Sequence, residues 1–291
     1  MKTIKYFFEF LSVISLFFIF KLIGLRNASN LGGLIGEICG PLFRSKKITK
    51  QNIKNGLGEI DNKEEIKIIN GMWNNIGRTF AEYVYLKKFK FNKTNFNHIK
   101  INGLEHLDVI KKNNESAIFY SGHFANFELM AMELDKFGIK CAAIYRPLNN
   151  FFLNPLMEYL RIIYICPNQI PKGRIGMREI ISKINNGYSI ALMVDQRVSE
   201  GPRTPFFKKP AHTTTVPAQL ALKYDCKLIP ISLERKEGPN FEMTVHEPYK
   251  IKKTSDGEED TKNITIKINQ VIEQMIINNP KQWIWSHNRW K

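Results

Sequence analysis

Between residues 117 and 246, short apolar runs alternate with amphipathic segments, and that alternation constrains the fold more than any other feature of the chain. Strand candidates are Ala117–Tyr120, Ile139–Tyr145, Arg161–Ile165, Ser189–Val194, Lys227–Leu233 and Phe241–His246. Between them, Glu128–Lys136, Pro155–Leu160, Ile175–Ile184 and Val216–Tyr224 carry helical patterns. Strands apolar on both faces need helices on both faces, so the expected class is α/β, with a mostly parallel central sheet flanked by helices. The pattern sets in near Phe96. Before it, residues 61–90 read as one helical stretch, with Ile68, Ile69, Met72, Trp73, Ile76 and Phe80 recurring near the helical period as packing residues. The acidic segment 255–261 (SDGEEDT) reads as a solvated loop, and no internal repeat is present.

The N-terminus is apolar from Tyr6 to Phe20, broken by Glu9 and followed by Lys21. Its uninterrupted part is shorter than the roughly 20 residues of a perpendicular span, but extension through Ile23 and Leu25 supplies the length. No small-residue cleavage site follows, so an uncleaved membrane-anchor helix is expected over residues 1–25, with a buried core helix as the alternative. Lys21, Arg26, Arg44, Lys46, Lys47, Lys50 and Lys54 lie on the C-terminal side, against Lys2 and Lys5 before it. That asymmetry favours a cytoplasmic body and suits an anionic leaflet. The expected division is an anchor at 1–25, a helical, basic, membrane-proximal region at 26–95, and a catalytic α/β region at 96–291.

With 43 Lys and Arg against 27 Asp and Glu, the formal charge is +16, which points to an anionic partner: nucleic acid, an anionic membrane, or an acidic protein or lipid. Abundant Lys, Ile and Asn throughout account for part of it. No recognition helix or aromatic platform of a nucleic-acid binder is recognisable, so nucleic acid is not an expected partner. The four cysteines lack C-x-x-C spacing, which implies neither a disulfide framework nor a zinc site and favours a reducing compartment.

The chemistry centres on SGHFANFE, residues 121–128, which follows an apolar strand and leads into a helix. His123 and Glu128 would be about 140° apart on one continuous helix. They can meet if His123 lies in the turn and Glu128 in the first helical turn, with Asn126 as N-cap. A carboxylate on one imidazole nitrogen fixes the tautomer and raises the basicity of the other, which is how a general base for a hydroxyl is built. Arg146 and Asp195-Gln196-Arg197 also follow strand candidates, at the carboxyl edge where open α/β sheets hold ligands. Each alone is an ordinary surface or capping residue; their recurrence at one edge is the signal. Lys172 and Arg174 flank Gly173 before a helix, as an anion site or as a solvated basic loop. A Ser121 nucleophile lacks the G-x-S-x-G elbow, and a metal on His123 and Glu128 would lack further ligands.

SGHFANFE, then YRP at 145–147, DQR at 195–197, PFF at 205–207 and the tail WIWSHNRWK resemble, in that order, the late acyltransferases of lipid A biosynthesis. These lauroyl and myristoyl transferases belong to the wider lysophospholipid and glycerol-phosphate acyltransferase superfamily, and the resemblance runs over nearly the whole chain. It departs after the paired Phe, where the family often has Gly and this chain has Lys208-Lys209. The resemblance implies acyl transfer from acyl carrier protein to a hydroxyl on an acyl chain of a Kdo-linked lipid A precursor at the inner membrane. His123 would be the general base, Glu128 its orienting group, and Arg146 the stabiliser of an oxyanion or phosphate. Asp195 would hold the site together through an Arg or backbone groups, and Arg197, Lys172 and Arg174 would be further substrate contacts. No metal or other cofactor is implied. Two other readings stand beside it: a glycerophospholipid or glycolipid acyltransferase of the same superfamily, able to use acyl-CoA, and a non-enzymatic basic peripheral membrane protein.

Overall fold

The computed structural model describes residues 2–91 and 98–291. Helices α1 (Lys2–Ile23), α2 (Leu25–Phe43), α3 (Lys46–Leu57), α4 (Asn62–Glu82) and the short α5 (Leu86–Phe91) come first. The expected boundary at residues 95 and 96 lies outside the described residues. The chain then runs through β1 (Ile99–Asn102), α6 (Leu104–Asn113), β2 (Ala117–Ser121), α7 (Glu128–Phe137) and β3 (Cys141–Tyr145). Next come α8 (Asn154–Tyr164), β4 (Asn168–Pro171), α9 (Arg174–Asn185) and β5 (Ser189–Met193). A hairpin of β6 (Arg203–Phe206) and β7 (Lys209–His212) precedes α10 (Val216–Tyr224), β8 (Lys227–Arg235), β9 (Phe241–Val245) and α11 (Gly257–Asn278).

Seven strands form one sheet in the order β1-β9-β8-β2-β5-β3-β4. Every pairing is parallel except β8 with β9. The class is α/β, as the doubly apolar strands require. Alternation along each strand divides the interior in two. Ala117 and Phe119 face a core with Phe20, Leu86, Leu129 and Met132, while Ile118 and Tyr120 face one with Ile180, Ile268, Trp283 and Trp285. Each such fully buried large side chain contributes on the order of 1.5–3 kcal/mol.

Two sequence expectations change. Arg161–Ile165 is no strand but the last turn of α8, which continues to Tyr164 before β4 begins at Asn168. Met157, Leu160 and Tyr164 turn inward at helical spacing while Ile162 and Ile163 are exposed, so the apolar run was ambiguous between the two periods. Segment 255–261 is likewise not a loop throughout. Asp256 caps α11 by accepting from the Glu258 and Glu259 amides, and the acidic residues fill the first turn, where the helix dipole favours them.

Helix α1 is long and apolar enough to cross a membrane. Phe17 and Phe20 are buried against the body, where Phe17 meets Phe80 at 5.1 Å between ring centroids and the Phe20 carbonyl accepts from Tyr85 Oη at 2.7 Å. Nearer its start, Tyr6 and Phe7 meet Phe151 and Phe152 at 5.9 and 5.6 Å. Helices α2 and α4 are in backbone contact: a Cβ on Gly77 would lie 2.0 Å from the Gly32 carbonyl oxygen, so this crossing admits no side chain there. The β6–β7 hairpin turns through Phe207 (φ 51°) and Lys208 (φ 60°), the left-handed pair of a two-residue hairpin turn, built here without glycine.

Candidate active site

Parallel register brings the first two site residues together. Ser121 at the end of β2 is opposite Met193 at the end of β5, and His123 and Asp195 lie two residues beyond each. The chain turns sharply at Gly122, where a Cβ would stand 2.6 Å from the Phe124 ring and 3.3 Å from the Asp195 carboxyl carbon. Ala125 then adopts φ 46°, a left-handed conformation that its neighbours fix. Its carbonyl accepts from Asn75 Nδ2 at 3.0 Å and Thr79 Oγ1 at 2.9 Å, and its amide donates to the Gln282 carbonyl at 3.3 Å.

The imidazole is held by Asp195. Asp195 Oδ1 lies 2.7 Å from His123 Nδ1, while Oδ2 accepts from the His123 amide at 2.9 Å and from Trp283 Nε1 at 2.8 Å. Asp195 is 1% exposed, and burial alone would raise its pKa; the imidazole and these donors outweigh that and hold it down to about 2. Burial would conversely lower the His123 pKa, but the Asp195 charge prevails and raises it. An ionised carboxylate on Nδ1–H leaves the lone pair on Nε2, and the His123 side chain is 18% exposed.

Glu128 is elsewhere. The expected contact from Glu128 to His123 is not made; among the described residues no hydrogen bond joins them. Glu128 Oε1 instead accepts from Arg161 Nε at 3.0 Å and Nη2 at 2.7 Å, and from the Tyr83 hydroxyl. A carboxylate facing a guanidinium fork makes charge-assisted bonds that an imidazole edge cannot match. Asn126 does not cap α7 either: its side chain donates to Glu82 Oε2 at 2.9 Å. Glu82 also pairs with Arg235 and accepts from Ser29 at 2.8 Å, so a buried polar network backs the turn. Arg161 Nη1 is buried without a hydrogen-bond partner among the described residues.

The remaining candidates share the sheet edge but not the contact. Arg146 follows β3, two strands from β2 and roughly 10 Å across at ordinary strand spacing, and is exposed. Lys172 and Arg174 follow β4, roughly 14 Å from β2, and are exposed too. Arg197 is closer: its amide donates to His287 Nε2 at 3.0 Å, and its Nε is buried without a partner among the described residues. His287 is driven down to about 4 by burial and by the cations around it, so it stays neutral and can accept that bond.

The C-terminal tail forms the back wall. Besides Trp283 on Asp195 and His287 on Arg197, Arg289 donates to the His212 carbonyl at 2.7 Å and to Thr213 Oγ1 at 2.8 Å, and Trp290 Nε1 donates to the Phe206 carbonyl at 3.1 Å. Asn52 holds the tail from α3, donating to the carbonyls of Trp285 and His287 at 2.7 and 2.6 Å. Tyr83, Arg161, Trp283 and His287 escaped the sequence reading because each is distant in sequence from the turn it serves; the Trp-rich tail was the one visible signal, and only for Trp283 and His287. Among the described residues no group of three or more His, Cys, Asp or Glu side chains could hold a metal ion.

An Asp-His pair that keeps the lone pair on Nε2, beside an Arg-Glu-Tyr cluster, suits activation of a hydroxyl for transfer chemistry. The match to known sequences is decisive: residues 1–291 fit the family described as bacterial lipid A biosynthesis acyltransferase. The chain belongs to that family. It is similar to the lipid A biosynthesis lauroyltransferase of Escherichia coli (strain K12), 24% identical over 257 residues, covering 85% of this chain and 79% of that one. It is also similar to the lipid A biosynthesis palmitoleoyltransferase of the same strain, 24% identical over 271 residues, with 90% and 84% covered. As a lipid A biosynthesis acyltransferase it keeps the N-terminal apolar helix within the matched span, and that helix fits a transmembrane segment.

Proposed function

We propose that this lipid A acyltransferase moves a fatty acyl chain from an acyl carrier protein thioester to a hydroxyl on an acyl chain of a Kdo-linked lipid A precursor, with His123 as general base. The 2.7 Å contact between Asp195 and His123 Nδ1 carries the reading, because it leaves the lone pair on Nε2 to accept the hydroxyl proton. Asp195 takes the orienting role first expected of Glu128 and stabilises the imidazolium. The alkoxide attacks the thioester carbonyl, and the departing thiolate takes the proton back from Nε2. A base positioned in this way is worth on the order of 10²–10⁴ in rate. Glu128 and Tyr83 hold Arg161, whose buried Nη1 has no hydrogen-bond partner among the described residues and is assigned here to an anionic oxygen of a bound substrate. Arg146, Lys172, Arg174 and Arg197 offer positive charge along the same edge to phosphates, Kdo carboxylates and an acidic carrier protein.

The acceptor arrives from a membrane, the cytoplasmic face of the inner membrane in this reading. Support comes from apolar side chains exposed on α1, from the α2 stripe of Leu34, Ile38 and Leu42, and from Tyr159, Ile162 and Ile163 on α8. The test is transfer of labelled acyl chain from acyl carrier protein to the Kdo-linked precursor by purified protein, with His123→Ala alongside. Undiminished transfer by His123→Ala refutes the base. Transfer only to lysophosphatidate or an unrelated glycolipid, or only from acyl-CoA as donor, assigns the protein to other substrates of the superfamily.

A further inference from the structure

Gln196 has a place in the site that the roles above leave unused. It follows Asp195 directly, and its Nε2 lies 3.4 Å from His123 Nε2. Because Asp195 accepts from Nδ1–H, the facing Nε2 carries a lone pair, and only the N–H end of the amide can meet it. In the resting site the Gln196 amide therefore caps the atom that must receive the substrate proton. The residues on either side are held: the Asp195 carboxylate by three donors, and the Arg197 backbone by the hydrogen bond its N–H donates to His287 Nε2. Gln196 therefore starts from a held stretch of chain beside the imidazole.

We propose that Gln196 is a catalytic residue that donates a hydrogen bond to the thioester carbonyl oxygen as it becomes an oxyanion. The proposal rests on His123 being the base. One lone pair cannot serve two donors. When the acceptor hydroxyl donates to Nε2 it displaces the Gln196 N–H, which must find another acceptor in a half-buried site. The nearest oxygen to gain charge is the carbonyl oxygen of the carbon under attack, bonded to the carbon that the substrate oxygen is joining. As that C–O bond forms, the carbonyl π pair moves onto oxygen, and the N–H is beside it. When the intermediate collapses, the pair returns, the C–S bond breaks, the thiolate takes the proton from Nε2, and the amide caps the lone pair again. The contact strengthens only in the transition state, so it acts on kcat and leaves substrate binding unchanged.

The experiment compares Gln196→Met, similar in size without the donor, with Gln196→Glu, across pH and alongside His123→Ala, using acyl carrier protein thioester and Kdo-linked lipid A precursor. Gln196→Met should lower kcat about 10²–10³-fold with both KM values unchanged, the usual cost of losing one oxyanion donor. The acidic limb of its kcat/KM profile should move to higher pH, because in the free enzyme the amide no longer favours neutral imidazole. Gln196→Glu should move the limb further, a negative charge now standing beside the imidazolium. Near-wild-type kcat and an unmoved limb in Gln196→Met, with His123→Ala inactive, overturn the proposal; so does a loss confined to KM. Activity in His123→Ala would instead remove the base on which the proposal stands, which separates the two failures.

Discussion

Replacing Asp195 by Asn keeps the shape of the site and removes one charge, and its effect follows from counting donors. Three N–H groups point at the carboxylate: His123 Nδ1–H at Oδ1, and the His123 amide and Trp283 Nε1–H at Oδ2. An Asn has one acceptor oxygen and one NH₂. With its NH₂ towards the His123 amide and Trp283, two bonds are lost and like donors face each other. At about 1–3 kcal/mol for each buried donor left without its acceptor, the two stranded donors disfavour that orientation by roughly 3 kcal/mol. The Asn will therefore turn its NH₂ to Nδ1, where it must donate, so the imidazole proton moves to Nε2 and the base is lost. About 3 kcal/mol depletes the competent tautomer on the order of 10²-fold. The imidazolium also loses its counter-charge, and the same change in a Ser-His-Asp triad costs about 10⁴ in kcat. We expect Asp195→Asn to lower single-turnover acyl transfer by about 10²–10⁴ with little change in Tm. Imidazole ¹⁵N shifts should report the proton on Nε2. A variant within tenfold of wild type, or one with its proton still on Nδ1, refutes the reasoning.

Activity and stability should move oppositely with pH. The His123 pKa is raised, so catalysis, which needs neutral imidazole, should rise through a limb above the ordinary value of about 6.5. A raised His pKa contributes stability fully below about pH 6.5 and loses it as pH rises through the folded value. Asp195, held down to about 2, contributes above its unfolded value of about 3.9 and loses it as pH falls towards about 2. Tm scans should show this contribution fading across the activity limb in wild type and absent in Asp195→Asn; a parallel rise of both would contradict the assignment. Arg235→Met strands the buried Glu82 carboxylate and should cost about 3–5 kcal/mol in urea unfolding, whereas less than about 1 would mean that Ser29 and Asn126 suffice to hold it. Lys208→Gly relieves a left-handed residue in the hairpin and should stabilise by about 1 kcal/mol; destabilisation would show that the Lys side chain contributes contacts outweighing the strain.

What the sequence determined by itself was local and periodic. The doubly apolar runs of β2, β3, β5 and β8 demanded a helix-covered parallel sheet. The turn after β2 and the DQR after β5 announced polar residues at its carboxyl edge. Where one apolar run fitted two periods, at Arg161–Ile165, sequence alone could not choose; helix α8 won because Met157, Leu160 and Tyr164 bury one stripe. Pairing was a different matter. His123 and Glu128 are close along the chain, yet the imidazole turns to Asp195, 72 residues away, and Glu128 to Arg161 and Tyr83. The parallel register of β2 on β5 sets His123 level with Asp195, and the guanidinium of α8 outbids an imidazole for the nearer carboxylate. Strand order and helix packing are properties of the assembled chain, and they decided which acid holds the imidazole.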